Sequence, residues 1–144
     1  MPNINYQQVI PFKGKSMSPL IKEGDKVVVD LYGQPSPVTE KMQGKICFYN
    51  DGNEWVLHRV LGFEDDFYIK GDFAKSFDCN PELNIWGEVC QVKTKSGKTI
   101  YLNNKSKLNI LSEKLSVVHM TNKGVKGKLG KLLLYLLNIA RRGL

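Results

Sequence analysis

Gly14-Lys15-Ser16-Met17-Ser18-Pro19-Leu20-Ile21-Lys22-Glu23-Gly24-Asp25, followed by Lys26-Val27-Val28-Val29-Asp30, joins an exposed bend to a β-branched run. Pro19 restricts its own backbone and that of the residue before it. Gly24-Asp25 reads as a tight turn feeding a strand. The spacing predicts Ser18 as a helix N-cap, Pro19 as the first helical position, one turn over Leu20-Ile21-Lys22-Glu23, and Gly24 as its stop. Ser16 then lies just before a helical turn, whose backbone N–H groups suit a developing oxyanion. Most serines at such bends cap a turn or face water. Met17 either lines a pocket or anchors the bend in a core. Ser16 stands out because of three residues further along the chain: His58, Asp72 and Asp78 supply an imidazole and two carboxylates, in that order.

The flanking segments predict strands. Residues 4–13 alternate loosely and end in Val9-Ile10-Pro11-Phe12, and Val27-Val28-Val29 reads as a buried strand. Tyr32-Gly33-Gln34-Pro35-Ser36-Pro37 reads as a loop on its Gly/Pro content. Ile46-Cys47-Phe48-Tyr49 is another strand, Asn50-Asp51-Gly52-Asn53 a hairpin turn, and Trp55–Leu61 the returning strand. On that strand, period 2 places Val56, His58 and Val60 on one face and Trp55, Leu57 and Arg59 on the other. An imidazole among apolar neighbours is more often a satisfied core histidine than a catalyst. The same setting nonetheless favours the neutral form that a general base needs. Arg59 reads as structural, pairing with a carboxylate. Gly62–Asp66 is a turn, Phe67–Lys70 its partner strand, and Gly71-Asp72 comes next. A histidine base needs an acceptor on its second nitrogen, and either Asp72 or Asp78 could serve. Trp86–Val92 reads as the closing strand of the core, residues 93–102 as an extra hairpin, and Leu108–Val118 as a short helix.

Ser16-Met17-x-Pro19 with Gly24-Asp25, the strand after Gly44, His58-Arg59-Val60, and Lys70-Gly71-Asp72 ending in Trp86-Gly87 together resemble the type I signal peptidases and their LexA-like relatives. The likeness covers roughly residues 10–92. It is nearest the endoplasmic-reticulum-type branch, where a His stands in place of the catalytic Lys of typical bacterial enzymes. Five boxes in the right order are specific where single boxes are weak. The resemblance implies a mainly β, irregular, partly barrel-like antiparallel domain and a serine endopeptidase. It implies Ser16 as nucleophile, His58 as base, and Asp78, six residues after Asp72, as the third triad member. Asp72 would be a supporting carboxylate, and the oxyanion would be held at Ser16, Met17 and Ser18. Small side chains are implied on the acyl side of the cut. Where the family usually has Asn after Gly-Asp, this chain has Phe73.

At 144 residues with 42% apolar composition, the chain can bury one core, which predicts a β domain over 1–102 and a basic extension over 103–144. Charge is uneven: residues 1–92 hold 9 Lys/Arg and 13 Asp/Glu, whereas residues 93–144 hold 12 Lys/Arg and Glu113 alone. A basic half of this kind suits an anionic partner, a phospholipid surface ahead of nucleic acid. Leu129, Leu132, Leu133, Leu136, Leu137 and Ala140 have helical spacing. Bracketed by Lys123, Lys126, Lys128, Lys131, Arg141 and Arg142, Leu129–Arg142 reads as an amphipathic helix for an anionic membrane surface, a partner, or its own core. Cys47, Cys79 and Cys90 form no CxxC and read as reduced thiols, without a disulfide framework or zinc site. No cofactor motif is present, and His119 has no identifiable partner. Met1–Gln8 lacks a basic n-region and an apolar h-region, which predicts no leading span, a cytoplasmic or peripheral membrane location, and a departure from the family. Two rivals to a peptidase are a non-enzymatic basic adaptor and a LexA-like self-cleaving regulator. The latter is disfavoured because no helix-turn-helix precedes the domain and His58 occupies that group's Lys position.

Overall fold

A computed structural model of the chain describes residues 4–63, 66–74, 78, 83–103, 106–118 and 136. The fold is mainly β, with strands β1 (Ile4–Pro11), β2 (Lys26–Pro37), β3 (Ile46–Asn50), β4 (Trp55–Phe63), β5 (Asp66–Lys70), β6 (Asn84–Lys93) and β7 (Thr99–Tyr101). One α-helix, α1 (Lys107–Val118), comes after the sheet, and a single 3-10 turn spans Glu40–Met42. The strands form one seven-stranded sheet in the order β1-β2-β6-β3-β4-β5, with β7 beside β6, and every pairing is antiparallel.

The β3–β4 hairpin forms where the Asp51-Gly52 pair predicted it. Gly52 takes φ 102°, a conformation that disfavours side chains, and Asp51 Oδ1 accepts the N–H groups of Asn53 and Glu54. Three local expectations need correction. Residues 32–37 are not a loop but the end of β2, whose pairing with β6 slips between Leu31 and Ser36. The Gly and Pro residues are accommodated in that irregular stretch because it needs few ladder hydrogen bonds. Trp86–Val92 does not close the sheet: β6 is central, flanked by β2 on one side and by β3 and β7 on the other. Chain order says nothing about which strand is flanked on both sides. Finally, residues 16–20 form turns rather than a helix, with a cis peptide between Ser18 and Pro19 and an Ile21 N–H to Met17 C=O bond of 3.0 Å. Of the expected Gly62–Asp66 turn, Gly62 and Phe63 belong to β4 and Asp66 to β5, and Glu64 and Asp65 lie outside the described residues.

One apolar core gathers Phe12, Met17, Leu20 and Ile21 from the serine bend with Val27, Val29, Ile46, Leu57 and Val92 from the sheet. Leu108 and Leu115 of α1 join it, so the helix beyond residue 102 packs against the β domain. Ser106 caps this helix, its Oγ accepting the Asn109 N–H at 3.4 Å. The stretch Leu129–Arg142 and His119 lie outside the described residues, apart from Leu136, which is helical and exposed. Among the described residues no helix is long and apolar enough to cross a membrane.

The polar centre of this core is an ion pair with no solvent exposure on either side chain. Arg59 Nε donates to Asp72 Oδ1 at 2.8 Å and its NH2 to Oδ2 at 2.9 Å. Its NH1 donates to the Gly44 carbonyl at 2.7 Å and to Asn109 Oδ1 at 2.6 Å, while Ser112 Oγ donates to Asp72 Oδ2 at 2.5 Å. A buried guanidinium with this many partners is stable only while each partner is present. Asp72→Ala is therefore expected to destabilise the fold by about 3–5 kcal/mol. Urea denaturation would show this as a lower midpoint with an unchanged slope.

Candidate active site

β4 presents His58 and Arg59 to opposite faces, as the strand period requires. Arg59 enters the buried pair with Asp72, and His58 faces a groove of about 1030 Å³. The groove is lined by Phe12, Lys13, Ser16, Phe48, Tyr49, Trp55–His58, Asp78 and Leu83. Ser16 and His58 are both half-buried, accessible from the groove yet partly screened from water.

Gly71 marks where the two meet. A Cβ built on Gly71 would lie 3.1 Å from His58 Nε2, 3.1 Å from Ser16 Cβ and 2.8 Å from the Ser16 carbonyl oxygen. Ser16 Cβ and His58 Nε2 thus both lie against one point of the Gly71 backbone, no more than twice that distance apart. The close approach requires glycine, since the Ser16 carbonyl contact is backbone and cannot swing away. The same loop holds Ser16 from the other side, with Phe73 N–H donating to the Ser16 carbonyl at 2.8 Å.

The other imidazole nitrogen meets Asp78: Nδ1 lies 2.7 Å from Asp78 Oδ2. A carboxylate can only accept, so Nδ1 carries the proton, and the neutral ring has its lone pair on Nε2, the nitrogen beside Ser16. The structure therefore brings Ser16, His58 and Asp78 together. Asp72 lies across the sheet from them, its carboxylate committed to Arg59 and Ser112. Met17 is fully buried, with its Sδ accepting the Asp72 N–H at 3.4 Å, and packs in the core rather than lining the groove. The Ser18 N–H, expected at the oxyanion, donates instead to the Lys15 carbonyl at 3.0 Å.

Two further residues shape the site. The Tyr49 hydroxyl donates to Asp78 Oδ2, and its oxygen lies 3.1 Å from His58 Nδ1. Burial, reinforced by the bond to Asp78, pushes this phenol well above its ordinary range, so it remains a protonated donor. Tyr49 was legible in principle. In the hairpin register Cys47 faces His58 and Tyr49 faces Val56, which sets Tyr49 diagonal to His58 on the same face.

Lys70 is the other. It is fully buried, and its Nζ donates to the Gly71 carbonyl at 2.7 Å and the Ala74 carbonyl at 2.6 Å, clamping the turn that touches Ser16. Burial lowers its pKa to about 8 from the ordinary 10.5; Arg59 adds to the depression, while Asp72 and Asp78 oppose it.

Of the cysteines, Cys47 and Cys90 are free thiols, pushed up by burial to about 12 and about 11, hence poor nucleophiles at neutral pH. Cys79 lies outside the described residues. Among the described residues no group of three or more His, Cys, Asp or Glu side chains is arranged around a metal position.

Compared with known protein families, curated proteins and solved structures, the chain gives no match.

The depressed Lys70 pKa has a definite sign for stability. Between about pH 8 and 10.5 the unfolded chain holds the Lys70 proton more tightly than the folded one, so this residue makes stability rise with pH across that window. Relative to Lys70→Met, the wild type should gain roughly 3 kcal/mol on going from below pH 8 to above pH 10. Urea midpoints of the two proteins at a series of pH values measure the difference.

Proposed function

We propose that this chain is a serine endopeptidase that works by a Ser-His-Asp mechanism resembling that of signal peptidases. The observation that carries the reading is the meeting of Ser16 with the Nε2 of His58 at Gly71, while the Nδ1–H of the same ring faces Asp78. A groove running past all three can hold an extended peptide. Ser16 Oγ attacks the scissile carbonyl as Nε2 takes its proton, giving a tetrahedral oxyanion and an imidazolium. The N–H groups of Ser16 and Met17 face the oxyanion, and Asp78 stabilises the imidazolium through Nδ1–H. The imidazolium then gives its proton to the leaving amine as the C–N bond breaks, leaving an acyl ester on Ser16. Water, deprotonated by Nε2, hydrolyses that ester and restores the hydroxyl. Tyr49 holds the Asp78 carboxylate, and Asp72 acts only from behind, through the loop.

The resemblance extends the reading to cleavage after small residues in a peptide or leader segment. The Leu-rich, cation-bracketed stretch Leu129–Arg142 extends it to a peripheral position on an anionic membrane surface.

A peptide library rich in Ala, Gly and Ser, incubated with the chain with and without anionic vesicles and read by mass spectrometry, tests the proposal. Cleavage is expected from the wild type and from neither Ser16→Ala nor His58→Ala. Equal inertness of all three, vesicles present, would sink the peptidase reading in favour of a basic adaptor. Two variants grade the mechanism. Asp78→Asn should lower kcat by on the order of 10³–10⁴ by favouring the wrong imidazole tautomer. Tyr49→Phe, which keeps the ring and removes one hydrogen bond, should lower kcat by only about tenfold.

A further inference from the structure

α1 lies outside the span that resembles a peptidase, yet two of its side chains reach the back of the candidate site. On a helix face that otherwise docks through Leu108 and Leu115, Asn109 and Ser112 are buried and polar. Burying polar groups in an apolar face is costly unless each is matched, and these two are matched to one target. Asn109 Oδ1 accepts from Arg59 NH1 at 2.6 Å, and Ser112 Oγ donates to Asp72 Oδ2 at 2.5 Å. The turn before β3 is shaped for the same approach. Gly44, at φ 81°, supplies its carbonyl to Arg59, and a Cβ there would lie 3.2 Å from the Glu113 carboxylate of α1.

Asp72 is bracketed by the two residues that grip Ser16. Gly71 before it abuts Ser16 and His58 Nε2, and Phe73 after it bonds the Ser16 carbonyl. The Asp72 N–H itself meets the sulfur of Met17, the neighbour of Ser16. Anchoring the Asp72 carboxylate therefore anchors the turn whose Gly71 abuts Ser16 and His58 Nε2 and whose Phe73 holds the Ser16 carbonyl. Arg59 holds that carboxylate from the sheet, and Ser112 holds it from the helix.

We propose that Ser112 and Asn109 are positioning residues, through which α1 sets the Ser16 to His58 approach by fixing the Arg59–Asp72 pair. This inference rests on the peptidase reading, and its test separates the two. Misplacing a reacting group by a fraction of an ångström lowers kcat while leaving ground-state binding largely intact.

The test compares Ser112→Ala, Ser112→Thr and Leu115→Ala with the wild type. It uses the best-cleaved library peptide, the rate of Ser16 labelling by a fluorophosphonate probe, and urea denaturation. Leu115→Ala controls for loosening of α1, since it cuts a fully buried apolar side chain on the same helix that has no polar atom to bond the Asp72 carboxylate. Ser112→Ala is expected to lower both kcat and the labelling rate about tenfold, with KM within about twofold. Ser112→Thr, which keeps the hydroxyl, should recover most of the loss. Leu115→Ala should lose at least as much stability as Ser112→Ala and keep kcat within about twofold of wild type. Wild-type kcat in Ser112→Ala, or losses in both variants that simply track stability, would overturn the positioning role while leaving the peptidase in place. A wild type that neither cleaves nor labels at Ser16 would overturn the peptidase reading, and the positioning role with it.

Discussion

The structure depends first on the pairing of Arg59 with Asp72. An arginine cannot shed its charge in a protein interior, so a fully buried guanidinium must be surrounded by acceptors. Here those acceptors come from three separate places, the Asp72 loop, the Gly44 turn and Asn109 of α1, while Ser112 of the same helix donates to Asp72. The requirement thus ties the β4 strand to the loop after β5 and to the helix. Because side chains alternate along a strand, placing Arg59 in the core turns His58 toward the groove. One loop then serves both faces, with Asp72 meeting Arg59 on one side and Asp78 meeting His58 on the other.

The same loop sets the tolerance of the candidate site. Gly71 contributes by having no side chain where Ser16 and His58 Nε2 come together, Phe73 bonds the Ser16 carbonyl, and Lys70 bridges the Gly71 and Ala74 carbonyls. Each of these acts on backbone atoms of the loop, which fixes its path more firmly than contacts between mobile side-chain ends would. Asp78 is tied in too, its N–H donating to the Ile69 carbonyl at 2.8 Å. The carboxylate that faces His58 is therefore anchored to β5, the strand that pairs with His58's own.

Aromatic side chains line the groove beyond the reacting groups. Phe48 stacks on Trp55 with ring centres 4.7 Å apart, and Trp86 meets Trp55 edge-on at 6.4 Å. Trp55 and Trp86 belong to β4 and β6, which flank β3, so the aromatic run crosses three neighbouring strands. The contact follows from β6 pairing with β3 and β3 with β4, which sets the two indoles one strand apart.

What the sequence determined by itself was local. Alternation along β4 separated His58 from Arg59, Asp51-Gly52 set the hairpin, and the chain order supplied Ser16, His58 and Asp78, which line the groove, and Asp72, which does not. Glycine and proline content misread residues 32–37, because an irregular strand end and a loop tolerate the same residues. Only the tertiary structure decided which aspartate faces His58, that Tyr49 holds it, that β6 lies inside the sheet, and that α1 reaches Asp72. Each of these joins distant residues: His58 and Asp78 are 20 apart in sequence, Ser112 and Asp72 are 40 apart, and Arg59 and Asn109 are 50 apart. Periods of 2 and 3.6 residues say which way a side chain points from its own element. They do not say what the rest of the chain brings to meet it.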